Sequence, residues 1–224
     1  MTVYIIGTSH LLPFRKHLRH ADFQWYSANN SRYQEGDFTW SEGGLSHTSP
    51  AVTRDWEEHA GRRTIPIASG DVVVAFGFDD RFDRYGFLSG GADHVSSACR
   101  AQTVRDLVAA SPALRMIALL KDKCPEARSI MVEPPLLSRS EQLKKFIDRM
   151  VLGKRLHELC QHHKAVADNF GAKYIVQSVD TLETEGEFIY TRDDYLANDG
   201  YHWGDNGVAL LREALMADLE ARPV

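Results

Sequence analysis

Residues 71–77 read Asp71-Val72-Val73-Val74-Ala75-Phe76-Gly77. An unbroken apolar run rich in β-branched residues leaves no polar face for water, so it predicts a strand buried on both sides. Such a strand belongs at the centre of a parallel sheet covered by helices on both faces, and Gly77 ends it. Working outward toward the N-terminus, Val3-Tyr4-Ile5-Ile6 and Phe23-Gln24-Trp25-Tyr26 are the first two strands. Between them Leu11 to His20 reads as a helix with Pro13 in its opening turn. Residues 27–49, rich in Ser, Asn and Gly, read as one long loop, a length usually tied to function.

Toward the C-terminus a helical region runs from about Val95 to Lys123, interrupted near Ser111-Pro112. Ser129-Ile130-Met131-Val132 is a strand stopped by Glu133-Pro134-Pro135. A long helix covers Ser140 to Phe170, where Leu156, Leu159, His163, Val166 and Phe170 recur at spacings of three and four. Gly171 caps it. Tyr174-Ile175-Val176 is the fifth strand, and after an acidic loop Asp205 to Leu219 forms the closing helix.

This alternation predicts an α/β domain spanning 1–224: a three-layer, doubly wound, flavodoxin-like, mostly parallel five-stranded sheet with helices on both faces. No internal repeat or second-domain boundary interrupts it. In such folds ligands bind at the carboxyl ends of the strands, where Ser9, Gly77 and Glu133 fall.

The chain has 224 residues, 43% hydrophobic and 25% charged, with a formal net charge of −5. That charge offers no field for nucleic acid or anionic lipid, and Arg62-Arg63 and Lys144-Lys145 are too short to track phosphates. No stretch has the length of a membrane span. Cys99, Cys124 and Cys160 lack the spacing of a disulfide framework, zinc site or redox pair. With no leader pattern before the first strand, the expectation is a reduced, cytoplasmic protein.

The chemistry-bearing residues lie at the two ends. Gly7-Thr8-Ser9-His10 follows the first strand directly. A serine hydroxyl needs a base to take its proton, and the base needs an orienting carboxylate. Asn198-Asp199-Gly200-Tyr201-His202-Trp203-Gly204, just before the last helix, supplies that pair. The spacing lets Asp199 accept from the imidazole Nδ1–H while Nε2 stays free to face Ser9.

Four pieces in one order resemble the SGNH (GDSL-like) hydrolases over nearly the whole chain. They are Gly7-Thr8-Ser9-His10, Gly43-Gly44, the Gly-x-x-Asp of Gly77 to Asp80, and Asp199-x-x-His202. The resemblance implies a triad of Ser9, Asp199 and His202. It also implies an oxyanion hole from the N–H groups of Ser9 and Gly44, with Asp79 in the place of the family's Asn. A family of this kind needs no cofactor. The chain departs from it at Gly77-Phe78-Asp79-Asp80-Arg81, and the run Phe76-Gly77-Phe78-Asp79-Asp80-Arg81 resembles the Gly-Glu-Ile-Asp-Cys-Arg stretch of a variant SGNH-like branch lacking that Asn. An ionised carboxylate repels an oxyanion, and losing one amide donor costs roughly 10²–10³ in rate. Three readings stay open: Asp79 is protonated beside Asp80, Arg81 supplies the positive charge, or turnover is weak. His10, Gly77, Asp80, Arg81 and Trp203 are expected to contact substrate.

Blander readings stand beside these. Ser9 also suits a helix cap, Asp199 a turn and His202 a surface. Ser46-His47 is a rival dyad, but a long loop is a poor platform for a nucleophile. His162-His163 point about 100° apart on a helix and, like His157 and His94, lack partners, so no metal is expected. Trp25 and Trp56 read as core or rim, whereas Trp40 and Trp203 could form an apolar or sugar-stacking wall. The absence of G-x-G-x-x-G and of any Walker loop speaks against nucleotides. Two functions follow: an esterase or acyltransferase acting on a carbohydrate or small-metabolite ester, or a binding protein for a polar or glycan ligand on the same scaffold. Oligomeric state is not legible.

Overall fold

A computed structural model describes residues 1–18, 22–78, 110–132, 134–136, 138–140, 171–185 and 188–221, together with positions 96, 98, 99, 102, 106, 164 and 167–169. Five strands form the central sheet: β1 (Val3–Gly7), β2 (Phe23–Ser27), β5 (Val72–Phe76), β6 (Arg128–Val132) and β7 (Lys173–Ile175). Their order is β2-β1-β5-β6-β7, and every pairing is parallel. The sequence reading of a doubly wound α/β sheet holds, with each strand boundary within a residue or two.

The strand pattern explains the three layers. On β1 the side chains of Val3 and Ile5 point to one face and those of Tyr4 and Ile6 to the other, as a period of two requires. The first face packs on helices α1 (Leu11–His17) and α5 (Asp205–Glu220) through Phe14, Val208 and Leu211. The second packs on helices α2 (Asn30–Gln34), α3 (Pro50–Ala60) and α4 (Pro112–Lys123) through Tyr33, Trp56 and Met116. All five residues of β1 and of β5 are buried.

The expected loop over 27–49 is not a loop. Asn29 caps α2, its Oδ1 accepting from the Ser31 N–H at 3.0 Å. Strands β3 (Phe38–Ser41) and β4 (Gly44–His47) then form an antiparallel hairpin. Phe38 and Leu45 drive it, both buried against the aromatic cluster of Tyr33 and Trp56. Helix α3 follows, where the sequence reading places no element, with Pro50 opening it and Gly61, at φ +71°, closing it. The acidic loop likewise holds a hairpin, β8 (Leu182–Glu185) with β9 (Phe188–Thr191).

The first predicted helix ends at His17, before the expected His20. The break at Ser111-Pro112 is a helix start, with Ser111 Oγ accepting from the Leu114 N–H at 3.4 Å. Most of the helix predicted over 140–170 lies outside the described residues. Gly171, at φ +70°, follows its end as expected. Among the described residues no helix is long and apolar enough to cross a membrane.

Candidate active site

The Gly7-Thr8-Ser9-His10 turn is built to expose one hydroxyl. Gly7 is pressed against β5, where a Cβ would meet the Phe76 carbonyl oxygen at 2.0 Å. Thr8 latches the turn, its Oγ1 donating to the Gly77 carbonyl at 2.5 Å. Helix α1 starts at once, with the Leu11 N–H donating to Thr8 O and the Leu12 N–H to Ser9 O. Ser9 is thereby left exposed between two buried neighbours, Thr8 and His10. It does not cap the helix; the N-cap position is His10.

The second half of the site is a closed turn. Ala197 N–H donates to His202 O and Gly200 N–H to Ala197 O, each at 2.9 Å. Gly200 takes φ +64°, a left-handed value suited to glycine. Ser138 N–H donates to Gly200 O at 2.9 Å and ties the turn to the segment after β6. Trp203 anchors it from below: only 2% exposed, it packs over Gly207, where a Cβ would come within 2.2 Å of the indole.

The two halves meet. His202 Nε2 lies 3.0 Å from Ser9 Oγ, and His202 Nδ1 lies 2.7 Å from Asp199 Oδ2. Asp199 Oδ1 accepts from the Tyr201 and His202 N–H groups at 2.9 and 3.0 Å. Partial burial alone would raise the Asp199 pKa, but the His202 N–H, the His202 ring and the Tyr201 N–H together bring it down to about 2. The carboxylate therefore stays ionised at neutral pH, which fixes the acceptor facing Nδ1 and leaves Nε2 free to accept from the serine. Among the described residues the Ser9 N–H makes no hydrogen bond.

Other predicted site residues fall elsewhere. Gly44 sits at the tip of the β3–β4 hairpin, where its Cβ would strike Ile65 O at 2.2 Å. The next carbonyl, that of Pro66, accepts from Tyr4 Oη at 2.9 Å. Tyr4 lies near the entry end of β1, so the hairpin carries Gly44 toward the end of the sheet opposite Ser9. Gly43, beside Thr64, goes with it. Asp79, Asp80 and Arg81 lie outside the described residues, as do Glu133, His94, His157, His162 and His163.

Gly77 and His10 are packing partners and do not face solvent. Gly77 has φ +60°, and a Cβ there would fall 2.5 Å from His10 Cβ. His10 is 2% exposed. Trp203 and Trp40 cannot form one wall, because the first packs under α5 and the second against the opposite face of the sheet. The rival Ser46-His47 is no dyad: Ser46 Oγ donates to Arg63 O at 3.4 Å, and His47 Nδ1 accepts from the Ser49 N–H at 3.1 Å. Among the described residues no group of three or more His, Cys, Asp or Glu is placed to hold a metal ion.

No family model and no curated protein sequence matches this chain. Solved structures do. A protein of Streptococcus pneumonia, provisionally named a platelet activating factor, aligns with a TM-score of 0.56 at 12% identity over 97% of this chain and 83% of its own. An acylhydrolase of Bacteroides fragilis, also provisionally named, gives 0.52 at 12% identity over 98% and 88%. A carbohydrate acetylesterase family member from Sinorhizobium meliloti gives 0.50 at 13% identity over 98% and 97%. This chain shares its fold with these three proteins.

Proposed function

We propose that this chain is a serine esterase of the SGNH type, cleaving an ester of a carbohydrate or small metabolite. The observation that carries the reading is the unbroken chain of contacts from Asp199 through His202 to Ser9, closed by two turns from opposite ends of the sequence. Ser9 Oγ attacks the ester carbonyl while His202 Nε2 takes its proton. The tetrahedral oxyanion forms beside the Ser9 N–H, which is unbonded among the described residues. Collapse breaks the ester C–O bond, and the alcohol leaves with the proton from His202. Water then attacks the acyl-enzyme, His202 again acting as base, and the acid is released with Ser9 restored. An acceptor alcohol in place of water gives acyl transfer by the same steps. Asp199 keeps the imidazole in the tautomer that each proton transfer needs.

The likeness to a carbohydrate acetylesterase family member favours a short acyl group on a sugar as the first substrate to try. The distant placement of Gly44 and the Gly-Phe-Asp-Asp block favour a second reading, a glycan-binding protein with negligible turnover. Short-chain p-nitrophenyl esters and a fluorophosphonate probe decide between them. The esterase reading expects the wild type to be labelled and to hydrolyse ester, and Ser9→Ala to do neither. Equal blankness in both proteins would leave the binder.

A further inference from the structure

His10 is unusual for a histidine beside a reactive serine. It is 2% exposed, and neither ring nitrogen has a hydrogen-bond partner among the described residues. A buried imidazole without partners carries a desolvation cost that an apolar side chain would avoid. Its position is nevertheless tightly defined. One side rests on Gly77, the left-handed glycine whose missing Cβ makes room for it. The His202 ring lies 4.7 Å away, centroid to centroid, and the Tyr201 ring 5.0 Å away, both tilted. Backbone and ring contacts thus bracket the His202 imidazole: Asp199 holds its Nδ1 edge and the His10 ring lies tilted against it.

We infer that His10 is a positioning residue, whose buried ring forms the wall that holds the His202 imidazole in the plane joining Asp199 to Ser9. The inference rests on the hydrolytic reading of that triad. Burial supports it by keeping the wall uncharged: desolvation, with a smaller push from His202, brings His10 down to about 3 against a weaker pull from Asp199. A neutral wall does not repel a neighbour that becomes cationic during turnover. Since neither nitrogen is bonded among the described residues, the useful property is a flat ring of fixed size, and a carbon ring should serve in its place.

The test compares wild type, His10→Ala and His10→Phe, each confirmed folded by circular dichroism. Two readouts are the rate of fluorophosphonate labelling and the ring-nitrogen NMR shifts of His202, which report its tautomer. Misplacing a reacting group by about 1 Å costs about 10²-fold, so His10→Ala should label at least about tenfold slower. It should also show His202 as a tautomer mixture, while His10→Phe stays within about threefold of wild type with the Nδ1–H tautomer intact. A residue that served stability alone would leave both readouts unchanged in folded His10→Ala, and that result overturns the inference. Phe as impaired as Ala also overturns it, because the ring nitrogens would then matter. If the wild type resists the probe, the hydrolytic reading fails, and the His202 shifts alone still decide whether His10 holds the ring.

Discussion

Asp199 shows how much one side chain fixes at this site. One carboxylate oxygen accepts two backbone N–H groups of its own turn, and the other meets His202 Nδ1. Asp199→Asn can keep the first set with its carbonyl oxygen, but its amide would then donate toward Nδ1. That forces the proton onto Nε2, where it blocks acceptance from Ser9. The expected result is a fall of about 10³–10⁴ in fluorophosphonate labelling rate with the fold unchanged. Loss under about tenfold would mean that the carboxylate does not govern the tautomer. The sequence carries Ser9, His202 and this aspartate in local patterns, a strand end or a turn before a helix, and the structure brings the three within hydrogen-bond reach. Gly-Gly in a polar stretch, by contrast, says nothing about which end of the sheet Gly44 reaches. Here the reach was set by Phe38 and Leu45, which bury the hairpin on the aromatic cluster.

Among elements, the segment from β9 into α5 has the most work to do, since it must hold Asp199 against His202 at the surface without support from the sheet. Trp203 does this by closing a bridge to Leu196 and packing into the cluster of Phe14, Val208 and Leu211. Among the described residues its indole N–H has no partner, so its contribution is packing. Trp203→Ala should cost about 3–5 kcal/mol in urea unfolding and slow labelling as well, because the turn loses its anchor. Trp203→Phe should recover most of both, and a Phe variant as damaged as Ala would show that the indole does more than fill space. The sequence made β5 legible because five apolar residues in a row admit few other fates. It hid α3 and both hairpins because they are amphipathic and short, and their signals were diluted by polar neighbours. Phe38-x-Trp40 alternating before Glu42-Gly43 was the hairpin signal available. Pro50, the first of eleven helical residues, and Gly61, just past the last, were the helix signal.

At the scale of the molecule, burial of histidines couples stability to acid. His10 and His47 are 2% and 5% exposed. Burial lowers His10 to about 3, and it lowers His47 to about 4 against a weaker opposing pull from the Asp37 carboxylate. Both folded values lie below the ordinary 6.5. The unfolded chain therefore takes up protons first as pH falls. Neutral histidines cost the fold nothing extra above 6.5, and stability is lost as pH drops below it toward the folded values. Asp199, lowered from 3.8 to about 2, acts in the same sense at more acid pH, since its contribution is present above 3.8 and lost below. Each histidine contributes a slope of up to about 1.4 kcal/mol per pH unit once its unfolded form is protonated. Urea midpoints should be flat from pH 8 to about 7 and fall steadily between about 6 and 4.5. His10→Phe removes one titrating group and one buried unpaired imidazole, so it should be more stable at pH 5 than wild type and lose about half the slope. Unfolding midpoints that stay level across that interval would mean the two rings meet protons equally well folded and unfolded, which burial without partners forbids for His10. The same ring that supports His202 in the folded chain would then have to be reached by water, and the wall inferred from its position would not exist.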